Sequence, residues 1–217
     1  MTRRFSAAVA VSVALGTMVL PMRAQAEPMS FKMLSNYSRA TFKTDAPLET
    51  IVGNTAGEGV TGTLAMDPAK PQGAQGTIKV DLTTVSSGLA KRDEDMKGEK
   101  YLDTGNPANR YAVFEIKNVE IAGPLEPGKE ALAKVTGVLT IKGKPIETVA
   151  DARVTWLKLT PEQVEAQKRF GFTSDNLKVR AKFGTTFANH SITIPQLLVL
   201  KVSNDIQLET DLTFAKQ

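Results

Sequence analysis

Apolar residues recur at every second position in run after run between residues 40 and 214, and that spacing sets them on one face of a β-strand. Ala40 and Phe42 open the pattern. Val60, Gly62, Leu64 and Met66 repeat it, and Asp67-Pro68 with the Pro71-Gln72-Gly73 cluster turns the chain back into Ile78, Val80 and Leu82. Ala112, Phe114 and Ile116 form the next run. After the breakers Pro124, Pro127 and Gly128, the positions Ala131, Ala133, Val135, Gly137, Leu139 and Ile141 take one side while Lys134, Thr136 and Thr140 take the other. A turn at Lys142-Gly143-Lys144-Pro145 leads to Ala150, Ala152, Val154 and Trp156. Val179, Ala181 and Phe183 follow, and Ile206, Leu208, Leu212 and Phe214 alternate with Asp205, Gln207, Glu209 and Asp211. Many short antiparallel strands with one apolar face predict an all-β domain, either a sandwich or a closed barrel; periodicity is the same in both.

Two segments break the alternation. Thr160-Pro161-Glu162-Gln163 places a capping hydroxyl, a first-turn proline and a Gln at the third helical position, which predicts a capping box and a short helix to about Arg169. Residues 89–101 are highly charged and contain Gly98, so a helical turn or two is expected there. Within them Lys91, Arg92, Lys97 and Lys100 interleave with Asp93, Glu94, Asp95 and Glu99, the pattern of a solvated, self-paired helix face. Arg92-Asp93 is the expected structural salt bridge holding this turn to the sheet.

Arg3 and Arg4 precede an apolar run over residues 5–20, and Ala24-Gln25-Ala26 forms a small-x-small cleavage site. Residues 1–26 therefore read as a secretory signal that is removed. The run is shorter than the roughly 20 residues a spanning helix needs, and Pro21 and Arg23 close it. The expected mature chain, residues 27–217, is a single exported domain, periplasmic or secreted. Taking Arg3, Arg4 and Arg23 from the 27 Lys and Arg leaves 24 against 23 acids, so the formal charge falls from +4 to +1. A nearly neutral domain without interleaved stacking aromatics offers no cationic face to phosphates, which argues against nucleic acid as a partner. With no cysteine in the chain, stability in an oxidising compartment has to come from a core.

Enzyme chemistry finds few residues to use. His190 is the one histidine, in Asn189-His190-Ser191, and no serine stands in a nucleophile-elbow context. It reads as a solvated loop residue. One histidine and no cysteine cannot assemble a zinc site of the usual kind, so neither a catalytic residue nor a metal is expected. Gly53, Gly57, Gly59 and Gly62 lie outside any strand-helix phosphate-binding unit and read as turn glycines.

Several pieces occur in a telling order: Val80-Asp81-Leu82 leading to Arg92-Asp93, then Tyr101-Leu102-Asp103, then residues 111–116, then Val135-Thr136-Gly137-Val138-Leu139-Thr140-Ile141-Lys142-Gly143. In that order the chain resembles the YceI family, periplasmic lipocalin-like proteins that bind polyisoprenoids, from about Tyr37 to Phe214. Thr44-Asp45 stands where the family usually has a histidine, Ala112 where it has a proline, and residues 161–176 have no counterpart in the commonest members.

The resemblance implies an eight-stranded antiparallel barrel with short helical insertions, enclosing an apolar tunnel for an isoprenoid, a quinone or another long-chain amphiphile. That molecule is a ligand; no cofactor is expected. Eight strands leave an interior that side chains fill or that one slender ligand occupies. The small inward residues Ala131, Ala133, Gly137, Ala150 and Ala152 are expected to leave room. The expected apolar lining is Phe114, Ile116, Val135, Leu139, Val154, Trp156 and Phe183, and Arg92 is the head-group residue, since a guanidinium pairs bidentately with phosphate. Three functions stay in play: a carrier or sequestering protein, a non-catalytic interaction module with a filled core, and a hydrolase or isomerase acting on bound lipid. A homodimer is left open.

Overall fold

The computed structural model describes residues 28–197 and 200–217, so the expected signal at 1–26 lies outside the described residues. The strands and helices are, in order, β1 (Met29–Met33), β2 (Arg39–Ala46), β3 (Glu49–Thr55), β4 (Val60–Met66), β5 (Gln75–Asp81), β6 (Val85–Ser86), α1 (Ala90–Lys97), β7 (Tyr111–Ile121), β8 (Glu130–Ile141), β9 (Lys144–Lys158), α2 (Pro161–Gln167), β10 (Asp175–Thr186), β11 (Gln196–Leu197), β12 (Leu200–Lys201) and β13 (Asp205–Lys216). Eight of them form a closed antiparallel ring in the order β1-β4-β5-β7-β8-β9-β10-β13, with β13 returning to β1. Closure leaves no free sheet edge around the ring.

The first run of alternation, at Ala40 and Phe42, belongs to β2; the ring is completed by β1, which lies before that run. Both pair with β13, β1 near Phe214 and β2 near Leu208. A single 3₁₀ turn at Ser35–Tyr37 bends the chain between them. Ser38 is buried at that bend, where its hydroxyl donates to the Leu34 carbonyl (2.9 Å) and its Oγ accepts from the Thr213 amide (3.1 Å). Beyond the bend, β2 carries β3 and then β6 away as a branch. The barrel is therefore tight at one end and splayed at the other.

The tight half is solid. Phe31, Phe214, Leu177 and Val60 are fully buried, and Met33, Leu64, Leu212, Ala133 and Ala152 pack with them in one cluster. α2 lies outside this end, opened by the expected capping box: the Gln163 amide donates to Thr160 Oγ1 (3.3 Å) and the Thr160 amide to Gln163 Oε1 (2.9 Å). At the other end the β8–β9 hairpin turns through Lys142 and Gly143, both at positive φ (50° and 69°). Two central residues in that region match the right-handed twist of the flanking strands, and Gly adopts it without a Cβ penalty.

A candidate ligand cavity at the open end of the barrel

Where the branch splays, the interior is hollow. A cavity of about 640 Å³ lies between the ring wall and the excursion that joins β6 to β7. Phe42 from β2, Val80 from β5, Phe114 from β7, Leu139 from β8, Phe183 from β10 and Leu208 from β13 form its wall, because all six sit on the inward face of their strands. The roof comes from α1 and the loops around it, with Leu82, Met96, Tyr101 and Leu102 on one side, and from Phe187 and Ile192 on the other.

Polar groups inside are already occupied. The Thr44 hydroxyl donates to the Asp205 carbonyl (2.8 Å), Thr55 Oγ1 accepts from the Ala40 amide (3.1 Å), and Thr185 Oγ1 lies 2.8 Å from His190 Nε2. Among the described residues every buried side-chain nitrogen and oxygen has a partner. A polar guest group placed deep in the cavity would lose water and meet only a few hydroxyls that already have partners, so the interior favours hydrocarbon.

His190 departs from the solvated loop residue expected. It is fully buried, with Nδ1 3.1 Å from the Lys144 carbonyl. A carbonyl only accepts, so Nδ1 carries the proton and Nε2 accepts from the Thr185 hydroxyl. Burial holds the imidazole below its usual 6.5 and outweighs the Lys144 carbonyl, which acts the other way. The ring thus pins the loop that contributes Phe187 and Ile192 to the roof.

α1 closes the side of the mouth and is held by two separate anchors. Arg92 pairs with Glu49 at the start of β3 (2.5 Å), while Asp93 accepts from the Ser87 amide (2.6 Å) and hydroxyl (2.7 Å) and from the Ser86 hydroxyl (2.5 Å). The expected Arg92-Asp93 attachment of this turn is therefore made by each residue to a different strand, not between the two. Partial burial pushes the Asp93 carboxyl upward, but the hydrogen bonds from Ser86 and Ser87 outweigh it and hold it below 3.8. On the solvent face Lys91 pairs with Asp95 (2.9 Å) and Glu94 (3.3 Å), the self-pairing that the charge pattern predicts. Asp81, of the Val-Asp-Leu piece, ties the base of the excursion: Arg110 donates to its Oδ2 through Nε (3.0 Å) and a terminal nitrogen (2.6 Å).

Of the seven expected lining residues, Phe114, Leu139 and Phe183 border the cavity. Ile116, Val135, Val154 and Trp156 instead pack against the solid cluster of the tight half. Trp156 is held there by its indole N–H, which donates to Asp175 (3.1 Å). Arg92 borders the mouth. The small residues Ala131, Ala133 and Ala152 lie in or against the solid cluster, and the space over Gly137 is taken by the Phe114 ring. The hollow comes from the splayed branch rather than from them.

A wider concavity of about 1070 Å³ lies on the outer wall of β8, β9, β10 and β13. Its charges are paired across strands, Lys134 with Asp151 (3.0 Å), Lys182 with Glu209 (2.9 Å), and Arg180 with Glu130 beside it (2.6 Å). Exposed pairs of this kind are a solvated surface, which leaves the apolar cavity as the candidate site.

Comparison with known proteins agrees with this geometry. The family model for the YceI-like domain matches residues 31–214. Among solved structures, the chain is similar to a polyisoprenoid binding domain from Saccharophagus degradans implicated in plant cell wall breakdown, with 14% identity, 87% of this chain and 99% of that chain covered, and a TM-score of 0.62. Burkholderia cenocepacia BcnA superposes with a TM-score of 0.60 at 16% identity, covering 81% of this chain and 95% of that one. A Campylobacter jejuni YCEI protein follows at 0.57, with 16% identity and 76% and 84% covered. At such identities the likeness shows the fold. No match to the chain is found among curated proteins. With the family model spanning 31–214 and the closed eight-stranded ring in place, the chain belongs to the YceI-like domain family.

Proposed function

We propose that this protein is an exported, non-catalytic binding protein that sequesters or carries a polyisoprenoid or similar long-chain amphiphile, tail inward, in the cavity at the open end of the barrel. The family match and the polyisoprenoid binding domain among its structural neighbours support a lipid-binding barrel. The observation that carries the reading is an apolar hollow whose few buried hydroxyls are all occupied. Burying chain there contributes about 0.8 kcal/mol for each methylene, so no reacting group is needed for tight binding.

In this reading Phe114, Leu139 and Phe183 touch the tail and Arg92 meets the head group at the mouth. Glu49 engages one terminal nitrogen of Arg92, and a guanidinium carries five N–H donors, so a head group takes the others. Mass spectrometry under native conditions, on protein purified from its own cell envelope, tests the reading. Co-purifying amphiphile is the expected result. Protein that carries none, and whose melting temperature is unmoved by added prenols and quinones, defeats it in favour of a filled interaction module, because a ligand specific to the folded state raises stability.

A further inference from the structure

The cavity ends abruptly. Phe114 on β7 and Phe183 on β10 are separated in the ring by β8 and β9, yet their rings meet at 5.6 Å between centroids, tilted by 45°. They reach each other across the inner face of those two strands because Gly137 has no side chain: a Cβ there would lie 2.6 Å from Phe114 Cε1. Beside them Ala40, and Ile78 paired with Phe114, border the cavity while packing against the solid cluster around Phe31 and Phe214. The aromatic pair and these two residues form a floor where the cavity meets the solid cluster.

We infer that this floor is a ruler: the cavity accepts a single tail of limited length, and the Phe114–Phe183 crossbar sets the limit. At the roughly 30 Å³ a water-sized group occupies, the cavity of about 640 Å³ matches about twenty chain carbons. A tail of up to four isoprene units is held whole. A two-tailed lipid, or a much longer polyprenyl chain, leaves the remainder in water. This rests on the amphiphile-binding reading and adds the class of tail to it.

The test is a thermal-shift and native mass-spectrometry series with geraniol, farnesol, geranylgeraniol, geranylfarnesol and octaprenol. Stabilisation grows with each unit through geranylgeraniol and then stops. Phe114→Ala opens the floor by space for roughly four or five carbons, so in that variant the break moves out to geranylfarnesol. Ala40→Leu fills the floor from the other side and moves the break in to farnesol. It serves as the deciding variant if Phe114→Ala fails to fold, since general damage weakens every prenol alike and leaves the break in place. Stabilisation that keeps growing from geranylgeraniol to octaprenol in the unaltered protein overturns the ruler and leaves amphiphile binding standing. So does a break that stays put in folded variants. If no prenol stabilises the protein at all, both the ruler and the reading beneath it fall.

Discussion

The Phe114 ring fills the space over Gly137 across the β7–β8 pair, with its Cε1 2.6 Å from where a Cβ would stand and the Glu115 carbonyl equally close to that point. Gly137 is thus fixed by a close approach and not by a turn. Gly137→Ala forces the ring or the backbone to move, an overpacking cost of about 1–3 kcal/mol. The expected outcome is a lower urea midpoint at unchanged slope.

Asp93 fastens α1 to β6 through three hydrogen bonds to Ser86 and Ser87. Its carboxyl is depressed below 3.8 in the fold, so its contribution is present above that value and is lost as pH falls through the lowered one. At neutral pH, Asp93→Ala is expected to cost about 1–2 kcal/mol. The loss is local: hydrogen exchange speeds up at the amides of α1 and at Ser87, while the amides of β10 and β13 at the solid end keep their protection.

Trp156 reports on the wrong end of the barrel for a ligand in the cavity. Its indole N–H is committed to Asp175, and the Lys158 ammonium lies 5.2 Å from its ring centroid. Adding a prenol is therefore expected to leave its emission maximum unchanged even where the melting temperature rises. A Leu139→Trp variant places an indole in the cavity wall, and the same titration shifts its emission. A blue shift of Trp156 itself would place the tail in the solid half and contradict the assignment of the site.

The contrast between Trp156 and Phe114 shows what alternation conveys. Period two tells which face of a strand points inward, so Phe114, Val135, Leu139, Val154 and Trp156 were all legible as interior. It says nothing about depth along the barrel axis, which depends on how far each strand is staggered against the next. Ile116, Val135 and Val154 lie on the solid side of that division and Phe183 on the hollow side. β1 escaped notice because Met29, Phe31 and Met33 make only three alternations, although Phe31 is among the most buried residues. Glu49 as the partner of Arg92 follows from a pairing 43 residues apart, beyond any local pattern. Phe187 and Ile192 were visible only as apolar residues in a short loop on either side of the lone histidine.

That histidine gives the last prediction. His190 is neutral in the fold, donating from Nδ1 to the Lys144 carbonyl and accepting at Nε2 from Thr185. Because burial lowers its folded value beneath the unfolded 6.5, the unfolded chain binds the proton first as pH drops. Its contribution is complete above about 6.5 and declines as pH falls from there through the lowered folded value, with a slope of at most about 1.4 kcal/mol per pH unit for one proton. Asp81 and Asp93, both held below 3.8, titrate outside this window. His190→Gln removes the titrating group and leaves Thr185 or the Lys144 carbonyl short of a partner, at a cost of about 1–3 kcal/mol near neutrality. Urea unfolding of both proteins from pH 7.5 down to pH 5 is therefore expected to show the stability gap narrowing as the solution becomes more acidic. A gap that stays constant would mean that burial does not lower the folded value, and one that widens would mean that the fold favours the charged imidazole; either contradicts the neutral ring assigned here.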